Sequence, residues 1–379
     1  MSTTPEEAYA AALAGFDRMT VHRLSLLLQH HLPSAAYAVA GGHARPAGLT
    51  AKIFEDAELA ATWRRNALDR DPEQVMAHCR SLGVQVLVYG RDRYPLALLN
   101  DPAPPPVLFA LGNLDTLTGR RAGLVGTRNA TLSGRETAGV LGRDLTRLGI
   151  HVVSGLARGI DGCAHRGALR ALNETGDNTA AAAPIAIVAS GLDVVYPPEH
   201  RGLWFEVAEH GLLLSEWPPG TPPEAYRFPL RNRIIAGLSE VIVVVESRSR
   251  GGSLITVNEA RERDVTVMAV PGALRNPAAE GANALVRDGC PIVMDAGDVL
   301  IALGLDNRRT GSVGYDSRPR PDEADQVVLD ACSEPVTLEH LLLLTDLSLV
   351  ACAMAVARLE AAGWISQIEG WFEHVRWSF

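Results

Sequence analysis

Seven short apolar runs constrain this chain most: 122–126 (AGLVG), 150–154 (IHVVS), 185–190 (IAIVAS), 212–216 (LLLSE), 241–246 (VIVVVE), 265–270 (VTVMAV) and 291–295 (PIVMD). Each is too short for a helix and most are rich in Val and Ile. Longer amphipathic segments separate them. A strand that is apolar at every position has both faces covered, and strands alternating with helices produce parallel pairing. The expected fold class is therefore α/β, with a Rossmann-like, doubly wound, mostly parallel sheet.

Other patterns flank this core, which is expected over 78–305. Apolar residues recur at helical spacing in 8–16, 21–31 and 57–67, with Pro33, Gly41 and Gly42 as breaks, so 1–77 reads as a helical domain. Residues 81–94 look like a strand entering a turn, and 101–106 form a proline-rich connector. The low-complexity stretch 173–183 reads as a surface loop, and 306–324 as a flexible linker. Beyond it, helical patterns at 327–331, 338–343 and 349–362 stop at Gly363, and the β-prone pieces WISQIE and HVRWSF follow. Three helices and a hairpin predict a winged helix over 325–379.

The net charge of -9 would disfavour a polyanionic partner if it were evenly spread. It is not. Between 119 and 170, nine arginines stand against Glu136, Asp144 and Asp161, whereas 323–379 holds nine acids against Arg358 and Arg376. A local basic patch attracts a polyanion whatever the total. The five cysteines are scattered without a CxxC pair, which argues against a structural zinc or a disulfide framework and for a reducing cytoplasm. The polar N-terminus does not read as a signal peptide, and no apolar run reaches the roughly 18 residues of a membrane span.

In a doubly wound sheet, ligands bind beyond the C-terminal strand ends. The loops there share one character. Gly126-Thr127-Arg128 offers a close backbone approach and a planar fork of donors suited to phosphate. Ser154-Gly155, followed by Arg158 and two more glycines, precedes a helix N-terminus, where free N–H groups attract anions. Asp161 there is expected to cap the helix, and His165 is a packed or a chemical residue. Arg231-Asn232-Arg233 opens an apolar helix; its arginines point to different sides, so at most one faces the crevice. Gly252-Ser253 and Asn283 complete the candidate phosphate set. Tyr196 and Trp217 are candidates either for base stacking or for ordinary packing. The pattern predicts a protein that grips the backbone of a flexible single strand, with no catalytic residue, metal or cofactor.

In order along the chain, VGTRNA, SGLARGIDGCAH, GLDVVYP, LLSEWPPG, FPLRNRIIAGLS, GGSLIT and AVPG resemble the motifs of the DNA-processing protein A (DprA/Smf) family. The resemblance covers 121–295. It implies a Rossmann-like core between an N-terminal SAM-like or helix-hairpin-helix-like domain and a C-terminal winged helix. It also implies single-stranded DNA binding, a homodimer, and loading of the RecA recombinase during transformation. By position, Arg128, the Ser154-Gly155 turn and the 231–233 segment would hold phosphates. The chain departs from the usual pattern at Ser133-Gly134, Gly251-Gly252-Ser253, Arg263-Asp264 and Gly281-Ala282-Asn283.

The alternative is a nucleotide-binding enzyme or sensor of the phosphoribohydrolase-like type. Such enzymes carry Pro-Gly-Gly-x-Gly-Thr-x-x-Glu. Here Arg250-Gly251-Gly252-Ser253 lacks the leading proline, but Glu259 keeps its spacing from Thr256. In the expected winged helix, the helix at 349–362 offers only Arg358 to DNA, so a protein partner, or packing back on the core, fits it better.

Overall fold

The continuous apolar runs assemble into one eight-stranded sheet in the computed structural model, which describes residues 5–175, 181–305, 318–319, 321–332, 334–368 and 370–375. The chain divides into two compact units, Met1–Asn307 and Arg308–Phe379. The expected linker lies largely outside the described residues, as does part of the 173–183 loop.

The first unit begins with helices α1 (Glu6–Ala14), α2 (Val21–His30), α3 (Pro33–Ala40), α4 (Ala57–Asp69) and α5 (Pro72–Ser81). Pro33 does more than break the pattern: it opens α3, at a first-turn position that needs no N–H donor. The strands are β1 (Gln85–Val88), β2 (Val107–Gly112), β3 (Arg120–Val125), β4 (Ile150–Ser154), β5 (Ile185–Val188), β6 (Leu212–Ser215), β7 (Val241–Val244) and β8 (Thr266–Ala269). Their order is β1-β2-β6-β5-β4-β3-β7-β8. From β6 to β8 every pairing is parallel, while β2 runs antiparallel to both β1 and β6. The seventh expected strand, 291–295, contributes only a single bridge between Ile292 and Ala269.

Both faces are covered, which is why β5, β6 and β7 are buried at every position. Residues of α6 (Leu132–Arg147) and α7 (Ile160–Thr175) pack on one face with Leu124, Val152 and Val243. On the same side, α8 (Arg201–His210) joins Trp63, Phe16 and Leu27 of the N-terminal segment in one cluster with Phe109 and Ala186. The opposite face carries α9 (Arg227–Leu238), α10 (Ser253–Arg261) and α11 (Glu280–Arg287), packed on Leu108, Ile187 and Val244. A last helix, α12 (Ala296–Ala302), closes the unit with a capping box at Asp295 and Asp298.

Strand β3 lies between β4 and β7, and the chain reverses its direction of travel across the sheet there. This is the topological switch point, where adjacent loops diverge and leave a crevice.

The second unit holds α13 (Glu323–Ala331), α14 (Leu338–Thr345) and α15 (Leu349–Ala361). They pack against an antiparallel sheet ordered β10-β11-β9, formed by β9 (Val336–Thr337), β10 (Ile365–Ile368) and β11 (Trp371–His374). Gly363 ends α15 with a φ of 75°, the left-handed conformation glycine adopts without strain.

Candidate nucleic-acid interface

Val125 and Val244 are register partners in β3 and β7, so the loops after these strands emerge side by side. Thr127 N–H donates to the Glu246 carbonyl at 2.7 Å, tying the two loops together. Between them opens a cleft of about 600 Å³, lined from the first loop by Gly126, Thr127 and Arg128. Arg248, Gly251 and Gly252 come from the second loop, Ser253 from the start of α10, and Phe228, Arg231 and Asn232 from α9.

The Arg128 guanidinium carbon stands 4.7 Å from the centroid of the Phe228 ring. The Phe228 ring lies 5.5 Å from that of Tyr196, which is 37% exposed and lines the same cleft. A cation over an aromatic face is held without being neutralised. Arg128 and Arg248 are both exposed, and neither has an ion pair among the described residues. Their charge is thus available to a ligand.

Beneath them sits Arg231, only 3% exposed. One Nη donates to the Ile187 carbonyl, and Nε has no hydrogen-bond partner among the described residues. Burial holds its pKa down to about 10, with Asp161 pulling it up and Arg128 pushing it down, so it stays charged at neutral pH. Asp161, itself buried, has its pKa raised by desolvation, against the opposing pull of Arg231 and two backbone N–H groups. Arg233 faces away, in a buried pair with Glu216 at 2.5 Å. Of the two arginines in this segment, only Arg231 reaches the cleft.

The 154–161 loop does not form the open anion site expected of it. Two of its donors are used internally: Gly155 N–H by the Asp161 carboxylate at 3.1 Å, and Ile160 N–H by the Thr127 carbonyl at 3.3 Å. Asp161 is the second residue of α7 and not its cap; its carboxylate reaches back across the loop. Ser154 is fully buried and its hydroxyl donates to the Leu124 carbonyl at 2.5 Å, so it braces the sheet. Gly155 serves by having no side chain, since Arg231 occupies that space. Arg158 is exposed outside the cleft and paired with Glu199. Asn283 is spent on Gly272, with Nδ2 donating to its carbonyl at 3.0 Å and Oδ1 accepting from its N–H at 2.9 Å. Ser253 lines the cleft, but its hydroxyl is bonded to Ser247 at 2.8 Å. His165 is a packed residue: fully buried, with its pKa lowered to about 3 by desolvation.

Two functional candidates escape the sequence pattern. Phe228 begins an apolar helix and reads as core, and Arg248 lies in a polar loop with no motif of its own. Glu259, the carboxylate of the enzymatic alternative, accepts from Arg263 at 2.7 Å and does not line the cleft. Arg263 also grips Asp101 at 2.7 Å, so this departure from the family pattern braces the core.

The fold and cleft define a class: a Rossmann-like α/β protein with a cationic, aromatic-edged cleft at its topological switch point. The sequence signature of the family "DNA recombination-mediator protein A" matches residues 85–304, and the chain belongs to that family. It is 40% identical over 231 residues to the DNA processing protein DprA of Bacillus subtilis, covering 61% of this chain and 75% of the relative. Protein Smf of Synechocystis is 32% identical over 343 residues, covering 81% and 83%. Among solved structures, DprA from Streptococcus pneumoniae superposes with a TM-score of 0.62 at 29% identity, covering 79% of this chain and 98% of that one. DNA processing protein A from Helicobacter pylori, whose structure concerns a single-stranded DNA binding mode, gives 0.51 at 25% identity, covering 59% and 97%.

Proposed function

We propose that this chain binds single-stranded DNA in the switch-point cleft and acts, without catalysing a reaction, as a mediator that protects incoming DNA and passes it to the RecA recombinase. The observation that carries the reading is Arg128: an exposed, unpaired guanidinium held on the Phe228 ring at the mouth of an anion-friendly cleft. Phosphates contact Arg128 and Arg248, and Phe228 and Tyr196 offer ring faces to unstacked bases. In a duplex the base faces are stacked on one another, so the aromatic edge has nothing to take.

The likeness to the Helicobacter pylori structure, which concerns a single-stranded DNA binding mode, and the family membership support the same reading. Glu259 supports it from the other side, because its engagement with Arg263 leaves the enzymatic alternative without its carboxylate in the cleft.

The second unit is read as a winged helix with a protein partner. Its Arg358 is held by Asp325 through two hydrogen bonds, at 2.9 and 2.5 Å, which offsets its charge. The protein acts in the cytoplasm as a homodimer on this reading.

An anisotropy titration with labelled single-stranded DNA, duplex DNA and nucleoside monophosphates at matched salt tests the function. Preference for the single strand is expected. Tight binding of a monophosphate alone would select the enzyme-like alternative.

A further inference from the structure

Residues 222–231 form a ridge with two used faces. Pro223, Ala225, Phe228 and Arg231 line the switch-point cleft. Their immediate neighbours Pro222, Tyr226, Arg227 and Leu230 line a second hollow of about 650 Å³. Its far wall is the turn between α1 and α2 together with Arg70 at the end of α4, and its floor is the loop that follows β6, beginning at Trp217. The ridge includes the first turns of α9, and a helix is about 10 Å across, so a strand leaving the cleft over it reaches the hollow within a few nucleotides.

The hollow carries the same chemistry as the cleft. The Arg227 guanidinium stands 5.9 Å from the Trp217 ring and 5.3 Å from the Tyr226 ring. Tyr226 is 55% exposed. Arg70 has no ion pair among the described residues; its Nη1 lies 2.6 Å from where a Cβ at Gly15 would stand. Arg18 adds a cation shared with Asp56 at 3.2 Å and Glu58 at 3.8 Å. Asp17 is the one carboxylate in the lining, and it is turned aside: its Oδ2 accepts from Asn66 at 3.0 Å. Arg227 is shared with Glu224 at 3.4 Å, so the cation left without an acid among the described residues of this lining is Arg70. An exposed ring near one such guanidinium suits a base and its phosphate.

We infer that this hollow is a second nucleotide subsite, which takes the segment of single strand that crosses the 222–231 ridge. A base stacks on Tyr226, and the adjoining phosphate meets Arg70, with Arg18 beside it. The N-terminal helices thereby take part in DNA binding through one wall of a groove and not through a duplex-binding hairpin. This rests on the cleft's being the primary single-strand site.

The test uses the full chain at low salt and labelled oligothymidylates of about three and about twenty nucleotides, the shorter matched to the volume of the cleft alone. Tyr226→Ala and Arg70→Gln are compared with wild type by anisotropy. Each variant is expected to bind the long strand about tenfold more weakly and the short strand as wild type does, which also shows that the cleft is still folded. Long-strand binding equal to wild type in both variants overturns the subsite while leaving the cleft in place. An equal loss for both lengths also overturns it, because the effect would then run through the cleft. If wild type binds neither length, the primary reading falls and the subsite with it.

Discussion

The guanidinium of Arg231 fills the space in front of Gly155: a Cβ built on that glycine collides with Nη1, Nη2 and Cζ of the arginine. The same glycine donates its N–H to Asp161, the carboxylate nearest in effect to Arg231. One missing side chain therefore lets a buried cation lie under the cleft.

Gly155→Ala is expected to cost about 1–3 kcal/mol of stability through overpacking and to weaken single-strand binding by displacing Arg231. Chemical denaturation and anisotropy measure the two effects. A variant as stable as wild type, with unchanged affinity, would show that Arg231 has room to move and that the packing does not set the site.

Ser154→Ala separates bracing from binding. Its hydroxyl reaches only the Leu124 carbonyl in the buried sheet, so the variant should lose about 1 kcal/mol of stability and keep its DNA affinity. A large loss of affinity at wild-type stability would return Ser154 to the interface.

The second unit should be dispensable for the strand. Removing residues 323–379 is expected to leave single-strand affinity intact or raised, since its local charge is acidic and Arg358 is committed to Asp325. Collapse of affinity in the truncated protein would contradict the assignment of this unit to a protein partner.

Acid should destabilise the fold through its buried histidines. An unfolded histidine titrates near 6.5, but His165 in the fold only near 3. Between these values the unfolded chain takes up the proton, so stability is full above the upper value and falls as pH drops. From pH 7 to pH 5 this amounts to about 2 kcal/mol for one such group. His151 and His200 are lowered by burial in the same direction. Denaturant midpoints across that range should fall in wild type and fall less in His165→Leu; equal slopes would mean that His165 is not held neutral.

The central strands are legible in sequence because they are buried on both faces, which leaves uninterrupted Val and Ile. Strand β2 (VLFALG) is just as apolar, yet it follows a proline-rich connector and pairs antiparallel, so the strand–helix alternation does not reveal it. The run at 291–295 has the right composition but meets the sheet edge at a single bridge. Within the site, glycine loops and arginines mark the crevice, because strand order places the loops after β3 and β7 together. What a side chain does there depends on its neighbours in space. Ser154, Arg158, Arg233 and Asn283 have the right chemistry and spend it on Leu124, Glu199, Glu216 and Gly272. Phe228 looks like core until Arg128 is seen resting on it.

The salt dependence of single-strand binding by wild type and Arg128→Ala tests the central claim most directly. Loss of one phosphate contact should weaken binding by about 1–3 kcal/mol and reduce the slope of log K against log salt by about 0.7. An Arg128→Ala protein with wild-type affinity and an unchanged slope would contradict the placement of DNA phosphates in this cleft.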